Sequence, residues 1–222
     1  MTERLAIGVP ELDQILKGGL AKGSLCTLLG PPGVGKSILS KRFIFTGIQS
    51  GKDAFLVSTT EGADEAGETM KQFEWGTGLE RLHLLDCHSW RAGAGGAAYS
   101  ASASSLTDVS VTLSRMLNDF EVSPEGNARI VVDSFTDFIK NAGLERALKL
   151  LDAIRTKQKS RGMTGLVLME EGVHDEKANS SVEYATDGTI KMKLTDMGRF
   201  MMVTRMTATP LTPKWIPYAI GR

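Results

Sequence analysis

Cysteine is scarce. The 222 residues hold only Cys26 and Cys87, in no C-x-x-C spacing. That excludes a disulfide framework and leaves buried thiols in a reducing compartment as the expectation. Histidine is equally rare, and His83, His88 and His174 show no metal-ligand spacing. An excess of either charge is missing, because 26 Lys and Arg balance 26 Asp and Glu. The chain as a whole therefore has no drive toward nucleic acid or an anionic membrane. No apolar run approaches the roughly 18 residues of a membrane span, and Met1-Thr-Glu-Arg-Leu5 contains no signal core. No membrane insertion and a cytoplasmic location are expected. Aromatic residues are few, and Trp75, Trp90 and Trp215 are too scattered for a base-stacking platform. What is abundant is glycine, 24 residues, and hydrophobic side chains, 41% of the chain. That composition suits one α/β domain with a full core over residues 1–222.

Three of the glycines lie in Gly30-Pro31-Pro32-Gly33-Val34-Gly35-Lys36-Ser37, which fits G-x-x-x-x-G-K-[ST] without a gap. Ser24 to Leu29 reads as a buried strand, and Ile38 to Ile48 reads as a helix with Leu39, Phe43, Ile44 and Ile48 inward. A phosphate loop requires this strand–loop–helix setting. Glycine lets the backbone turn its N–H groups into one concavity, and the positive end of the following helix adds to the pull on phosphate. The motif implies a bound nucleoside triphosphate, held over residues 30–38 through Ile38. Lys36 reaches the β- and γ-phosphates and Ser37 ligates Mg²⁺.

The remaining chain alternates. Strands are expected at Asp53–Ser58, Leu82–Asp86, Arg129–Asp133 and Thr164–Met169, and helices at Ala63–Phe73, Leu106–Phe120 and Leu144–Ser160. Such alternation predicts a mostly parallel sheet covered by helices on both faces. After about residue 182 the pattern changes. Thr189–Leu194, Arg199–Met206 and Trp215–Ile220 read as a short antiparallel C-terminal extension at the sheet edge. Residues 91–105, rich in Gly, Ala and Ser, read as a mobile loop, either a partner-docking segment or a tolerated insertion.

Asp133 ends the apolar run Ile130-Val-Val132. A carboxylate at a buried strand tip, downstream of a phosphate loop, is expected to make the second Mg²⁺ contact through water. Glu61 lies just beyond another strand and is the preferred carboxylate for orienting the attacking water. Glu170 and Glu171 are rivals on the same rim.

With these parts placed, the chain resembles the RecA superfamily, and within it the single-domain KaiC-like and archaeal RadA-paralogue ATPases. The resemblance runs from Arg4-Leu-Ala-Ile-Gly-Val-Pro-Glu-Leu-Asp13 and Leu16-Lys-Gly-Gly-Leu-Ala-Lys-Gly23 through Phe73-Glu-Trp-Gly76, Leu85-Asp86 and Val132-Asp-Ser134 to Val182-Glu-Tyr-Ala-Thr-Asp-Gly188. It implies a RecA-like P-loop core, ATP with Mg²⁺, and rings or filaments with ATP between subunits.

Three departures from the family pattern stand out. Paired glutamates of the clock-type members are here Thr60-Glu61, with Glu61 at the position of the wider group's catalytic glutamate. The terminal cation run is here Thr204-Arg-Met-Thr207, so Arg205 matches the first cation of a finger reaching a neighbour and Thr207 replaces the second. The loop starting at Glu170-Glu-Gly-Val-His-Asp-Glu176 is acidic where recombinases bind DNA, which disfavours DNA. The basic stretch Arg155–Arg161 reads better as a solvated helix C-terminus than as a nucleic-acid patch. The leading functional reading is a slow regulatory or signalling ATPase read by a protein partner that the sequence does not name. The alternatives are a recombinase paralogue acting on DNA and a non-hydrolysing assembly factor resembling the archaellum-motor relative.

Overall fold

The computed structural model describes residues 3–89, 97–207 and 209–220. Trp90 and the stretch 91–96 of the glycine- and alanine-rich segment lie outside the described residues.

The chain opens with a short antiparallel pair, β1 (Arg4–Leu5) with β2 (Leu20–Ala21), around helix α1 (Pro10–Ile15). The Asp13 carboxylate accepts the N–H groups of Ile7, at 2.6 Å, and Gly8, at 2.9 Å, which fixes this opening segment. The alternation then follows: β3 (Leu25–Gly30), α2 (Lys36–Gln49), β4 (Ala54–Ser58), α3 (Ala63–Gln72), β5 (Leu82–Asp86), α4 (Leu106–Asp119) and β6 (Arg129–Asp133). The second half adds α5 (Phe135–Ala142), α6 (Leu144–Ser160), β7 (Thr164–Glu170), α7 (Glu176–Ala185), β8 (Gly188–Thr195), β9 (Gly198–Met206) and β10 (Ile216–Tyr218). Strands β3 to β10 form one sheet in the order β10-β9-β8-β3-β7-β6-β4-β5.

The strands read as continuous apolar runs because both faces are covered. Their side chains still alternate. Leu25, Leu29, Phe55, Val57, Ile130, Val132, Val167 and Met169 enter the core under α4 to α7. Cys26, Leu28, Leu56, Val131, Leu166, Leu168 and Ile190 enter the opposite core, with α2 residues Phe43 and Ile44 and the Trp75 indole. Both cysteines are buried and outside any disulfide, and burial pushes each thiol up to about 12. The C-terminal extension is antiparallel within itself, from β8 to β9 to β10, but β8 joins the core parallel to β3.

Two helices were not foreseen. Helix α5 spans eight residues, too few to display a period, although Phe135, Phe138 and Ile139 are its buried stripe. Helix α7 buries only Ala178 and Val182, and Asp175 caps it by accepting the Ala178 N–H at 2.8 Å. The small-residue segment also differs from expectation in its described part. Ala101 and Ala103 are buried in the core, and the N–H groups of Asp86 and Ala101 bond Tyr99 and Asp86 carbonyls along the β5 edge. Small side chains there let the backbone lie against the strand.

Candidate functional site

The parallel register lines up the strand tips. Gly30 of β3 stands beside Glu170 of β7, and Ser58 of β4 beside Asp133 of β6. Strand order reverses around β3, whose crossover skips β7 and β6 to reach β4. A crevice beyond the carboxyl ends of the strands at such a point is where an open α/β sheet binds its ligand.

The loop Gly30–Lys36 sits in that crevice. Gly35 takes φ 102° at the start of α2, and a Cβ there would lie 2.5 Å from Cδ1 of Ile220. A Cβ on Gly30 would meet the Met192 carbonyl oxygen at 2.7 Å. Only glycine fits either position. Helix α2 starts without a side-chain cap and without an acid in its first turn, so its first N–H groups and its positive end face the cavity.

Lys36 is buried. Its Nζ donates to the Gly30 and Pro31 carbonyls at 2.8 and 2.9 Å and stands 3.9 Å from Glu170 Oε1. Burial lowers its pKa, while Glu170, Asp133 and Glu171 pull the other way. Asp133 is only 3% exposed, and burial raises its pKa against the Ser37 hydroxyl and the Lys41 and Lys36 cations. Its Oδ2 is buried with no hydrogen-bond partner. An orphaned carboxylate oxygen at a strand tip beside Ser37 fits the water shell of a divalent cation, which satisfies such atoms and offsets their burial.

The cavity beyond the loop has a volume of about 320 Å³ and is lined by Gly33, Gly35, Lys36, Ser37, Ile38, Thr60, Asp133, Ser134, Asp137, Glu170 and Ile220. Most of the expected binding residues therefore come together here. Gly30, Pro31, Pro32 and Val34 form the rest of the loop, and Val34 is buried beneath it. Glu61 is placed differently. Its carboxylate pairs with the Lys41 ammonium from α2, Lys41 buried and Glu61 half-buried, and Thr60 takes the cavity-lining position. Asp137 was not foreseen. It arrives on α5, whose only sequence signal is the Phe135, Phe138, Ile139 spacing.

Arg205 is not brought to this cavity within one chain. It pairs with Thr189, level with Thr27 near the middle of β3, and its guanidinium donates to the Glu183 and Thr186 carbonyls at the end of α7. The cations of the basic stretch are also engaged: Arg155 with Asp187 at 2.5 Å, Lys157 with Ser110 at 3.1 Å and Arg161 with Asn118 at 2.6 Å.

A second cavity, about 540 Å³, adjoins the first and shares Gly35, Ile38 and Ile220 with it. Leu39, Arg42, Trp75 and Tyr218 complete much of its wall. The Tyr218 hydroxyl donates to the Val34 carbonyl, and burial pushes its pKa up to about 12. Strand β10 and the residues after it thus form a strap across the phosphate loop. No helix among the described residues is long and apolar enough to cross a membrane.

A family model described as "ATPase: KaiC" matches residues 5–222. A UPF0273 protein of Pyrococcus furiosus is 26% identical over 235 residues, covering 99% of this chain and 92% of its own length. One from Thermotoga maritima is 24% identical, covering 99% and 93%. Among solved structures, a KaiC-like protein from Pyrococcus horikoshii superimposes with a TM-score of 0.79 at 18% identity, over 100% of this chain and 96% of that one. At that identity the likeness speaks for the fold, and the family match speaks for descent. The chain belongs to the KaiC ATPase family, with the RecA-like α/β architecture of a P-loop ATPase.

Proposed function

We propose that the protein binds Mg²⁺-ATP at the strand tips and hydrolyses it slowly, serving as a regulatory switch whose nucleotide state is read by a protein partner. The observation that carries this reading is the buried, unpartnered Asp133 Oδ2 beside Ser37 and Lys36, at the mouth of an uncapped helix. The loop amides and Lys36 bind the phosphates. Ser37 and Asp133 hold Mg²⁺, which neutralises charge on the phosphate oxygens. The larger adjoining cavity takes the base and ribose against Ile38 and Tyr218. Slow turnover fits the charge of the site. One cation, Lys36, lines the phosphate cavity with three carboxylates, Asp133, Asp137 and Glu170. Among the described residues no second cation lines that cavity, so we assign the second charge that would stabilise the transition state strongly to a neighbouring copy. We therefore include self-association in a ring or filament, with Arg205 of a neighbouring copy as the candidate.

The test is Lys36→Ala with the fold checked by circular dichroism. Mg²⁺-ATP affinity, read by calorimetry, should fall about 30-fold or more, the roughly 2 kcal/mol or greater cost of deleting one partner of a buried charged contact. Unchanged affinity would remove the assignment of the site.

A further inference from the structure

We infer that Glu11 and Arg42 select the base of the nucleotide: the Glu11 carboxylate accepts from the 6-amino group of adenine, and the Arg42 guanidinium donates to the adjoining ring nitrogen. The inference rests on the Mg²⁺-ATP reading above and names the specificity-determining residues within it.

The larger cavity is walled mostly by apolar side chains, among them Ile38, Leu39 and the Trp75 indole. Such walls hold a flat ring but do not distinguish one purine from another. Choice comes from the few polar groups that converge on the space. Among the described residues that line it, Glu11 and Arg42 are the only charged ones. The Tyr218 hydroxyl is engaged with the Val34 carbonyl.

The fold places both groups toward the base end. Arg42 follows Ile38 by one turn on the same face of α2, and Ile38 lines both cavities. That face therefore leads from the phosphates toward the base over about 6 Å of helix rise. Arg42 is held before any ligand arrives. Its Nε donates to the Gly8 carbonyl at 3.1 Å, and its Cζ lies 5.3 Å from the Trp75 ring centroid and 5.9 Å from that of Phe45. One edge of the guanidinium is thus fixed and its plane is set against aromatic rings. Gly8 stands three residues before Glu11, which joins the wall from the first turn of α1 and is exposed. The two charged groups therefore occupy adjoining parts of one wall. Neither forms an ion pair among the described residues.

A carboxylate only accepts hydrogen bonds and a guanidinium only donates them. Adenine offers a donor, its 6-amino group, next to a ring-nitrogen acceptor on either side, and the pair matches that pattern. A 6-oxo purine puts an oxygen where Glu11 needs a donor and leaves both groups unpaired, which a site built to hydrogen-bond its ligand rejects. The opposite arrangement, with the guanidinium on a 6-oxo group, would select guanine. The match to an ATPase family sets the carboxylate against the 6-position.

The test is calorimetric affinity for ATP, inosine triphosphate and inorganic tripolyphosphate, each with Mg²⁺. Inosine triphosphate changes the 6-position without adding a 2-amino group, and tripolyphosphate has no base at all. Wild type should bind ATP about tenfold or more tighter than inosine triphosphate, the yield of one hydrogen bond to a charged group. Glu11→Gln, whose amide can turn to donate to a 6-oxo group, should bring that ratio close to one. Arg42→Met should weaken ATP about tenfold. Both variants should bind tripolyphosphate as wild type does. Wild type that binds the two nucleotides equally, or prefers inosine triphosphate, overturns the inference. So does an unchanged ratio in Glu11→Gln, which decides the matter at an exposed position where Arg42→Met does not fold. Arg42→Met that loses tripolyphosphate as much as ATP would show Arg42 acting through the fold, and also overturns it. Wild type that binds neither ATP nor tripolyphosphate fails the Mg²⁺-ATP reading itself, and this inference with it.

Discussion

Asp133 carries a buried carboxylate oxygen, Oδ2, with no hydrogen-bond partner. Burial holds its carboxyl above the usual aspartate range. In the nucleotide-free protein the folded state therefore binds a proton more readily than the unfolded chain. The stability this group contributes is complete below the ordinary aspartate pKa and is lost as pH rises through the raised value. Asp133→Asn should abolish that dependence. At neutral pH the nucleotide-free variant should melt higher than wild type by about 2–4 °C, or roughly 1 kcal/mol for a chain of this size, while its Mg²⁺-dependent stabilisation by ATP disappears. Scanning calorimetry of both proteins across acid and neutral pH reads the sign directly, and a variant that melts lower at neutral pH contradicts it. Gly30 presents the converse case, where a side chain is forbidden. Gly30→Ala places a methyl carbon 2.7 Å from the Met192 carbonyl oxygen. Because the obstacle is backbone, β3 and β8 must part, and a loss of about 1–3 kcal/mol by urea unfolding is expected.

At the scale of elements, the phosphate loop was legible because its chemistry is local: glycine, lysine and serine at fixed spacing between a strand and a helix. Asp133 was legible because an apolar run ends on it. The strand alternation and the longer helices α2, α4 and α6 were legible from apolar periodicity. The orientation of Glu61 was not, because it depends on Lys41, twenty positions away, and on the turn that Ser58 closes. Asp137 was hidden in an eight-residue helix, and the strap was hidden because three strand residues, Ile216–Tyr218, say nothing of what they cross. The strap makes its own prediction. Tyr218→Phe removes the hydroxyl that donates to the Val34 carbonyl but keeps the ring in the larger cavity. Losing one such bond costs about 0.5–1.5 kcal/mol, so nucleotide affinity should weaken by about 2- to 10-fold with the base preference unchanged. Competition binding with ATP and GTP measures both. A changed preference would mean that Tyr218 reads the base rather than holding the loop.

For the whole molecule, the question is whether one chain completes the site. The phosphate cavity holds Lys36 and three carboxylates, and Arg205 is tied to carbonyls at the end of α7, away from it. A neighbour's Arg205 must leave the Glu183 and Thr186 carbonyls to reach phosphate, so assembly and a rearrangement at the end of α7 should be coupled. Turnover per protomer is then expected to rise with protein concentration and saturate, with sedimentation showing larger species only when Mg²⁺-ATP is present. Arg205→Ala should flatten that rise, lowering the saturated rate by about 10³-fold or more if the guanidinium acts as a finger, while leaving the dilute-limit rate and ATP affinity of single protomers unchanged. A rate independent of concentration would mean that each chain works alone, without a neighbour's Arg205. Slow hydrolysis would then be a property of the isolated fold and not of an unassembled state.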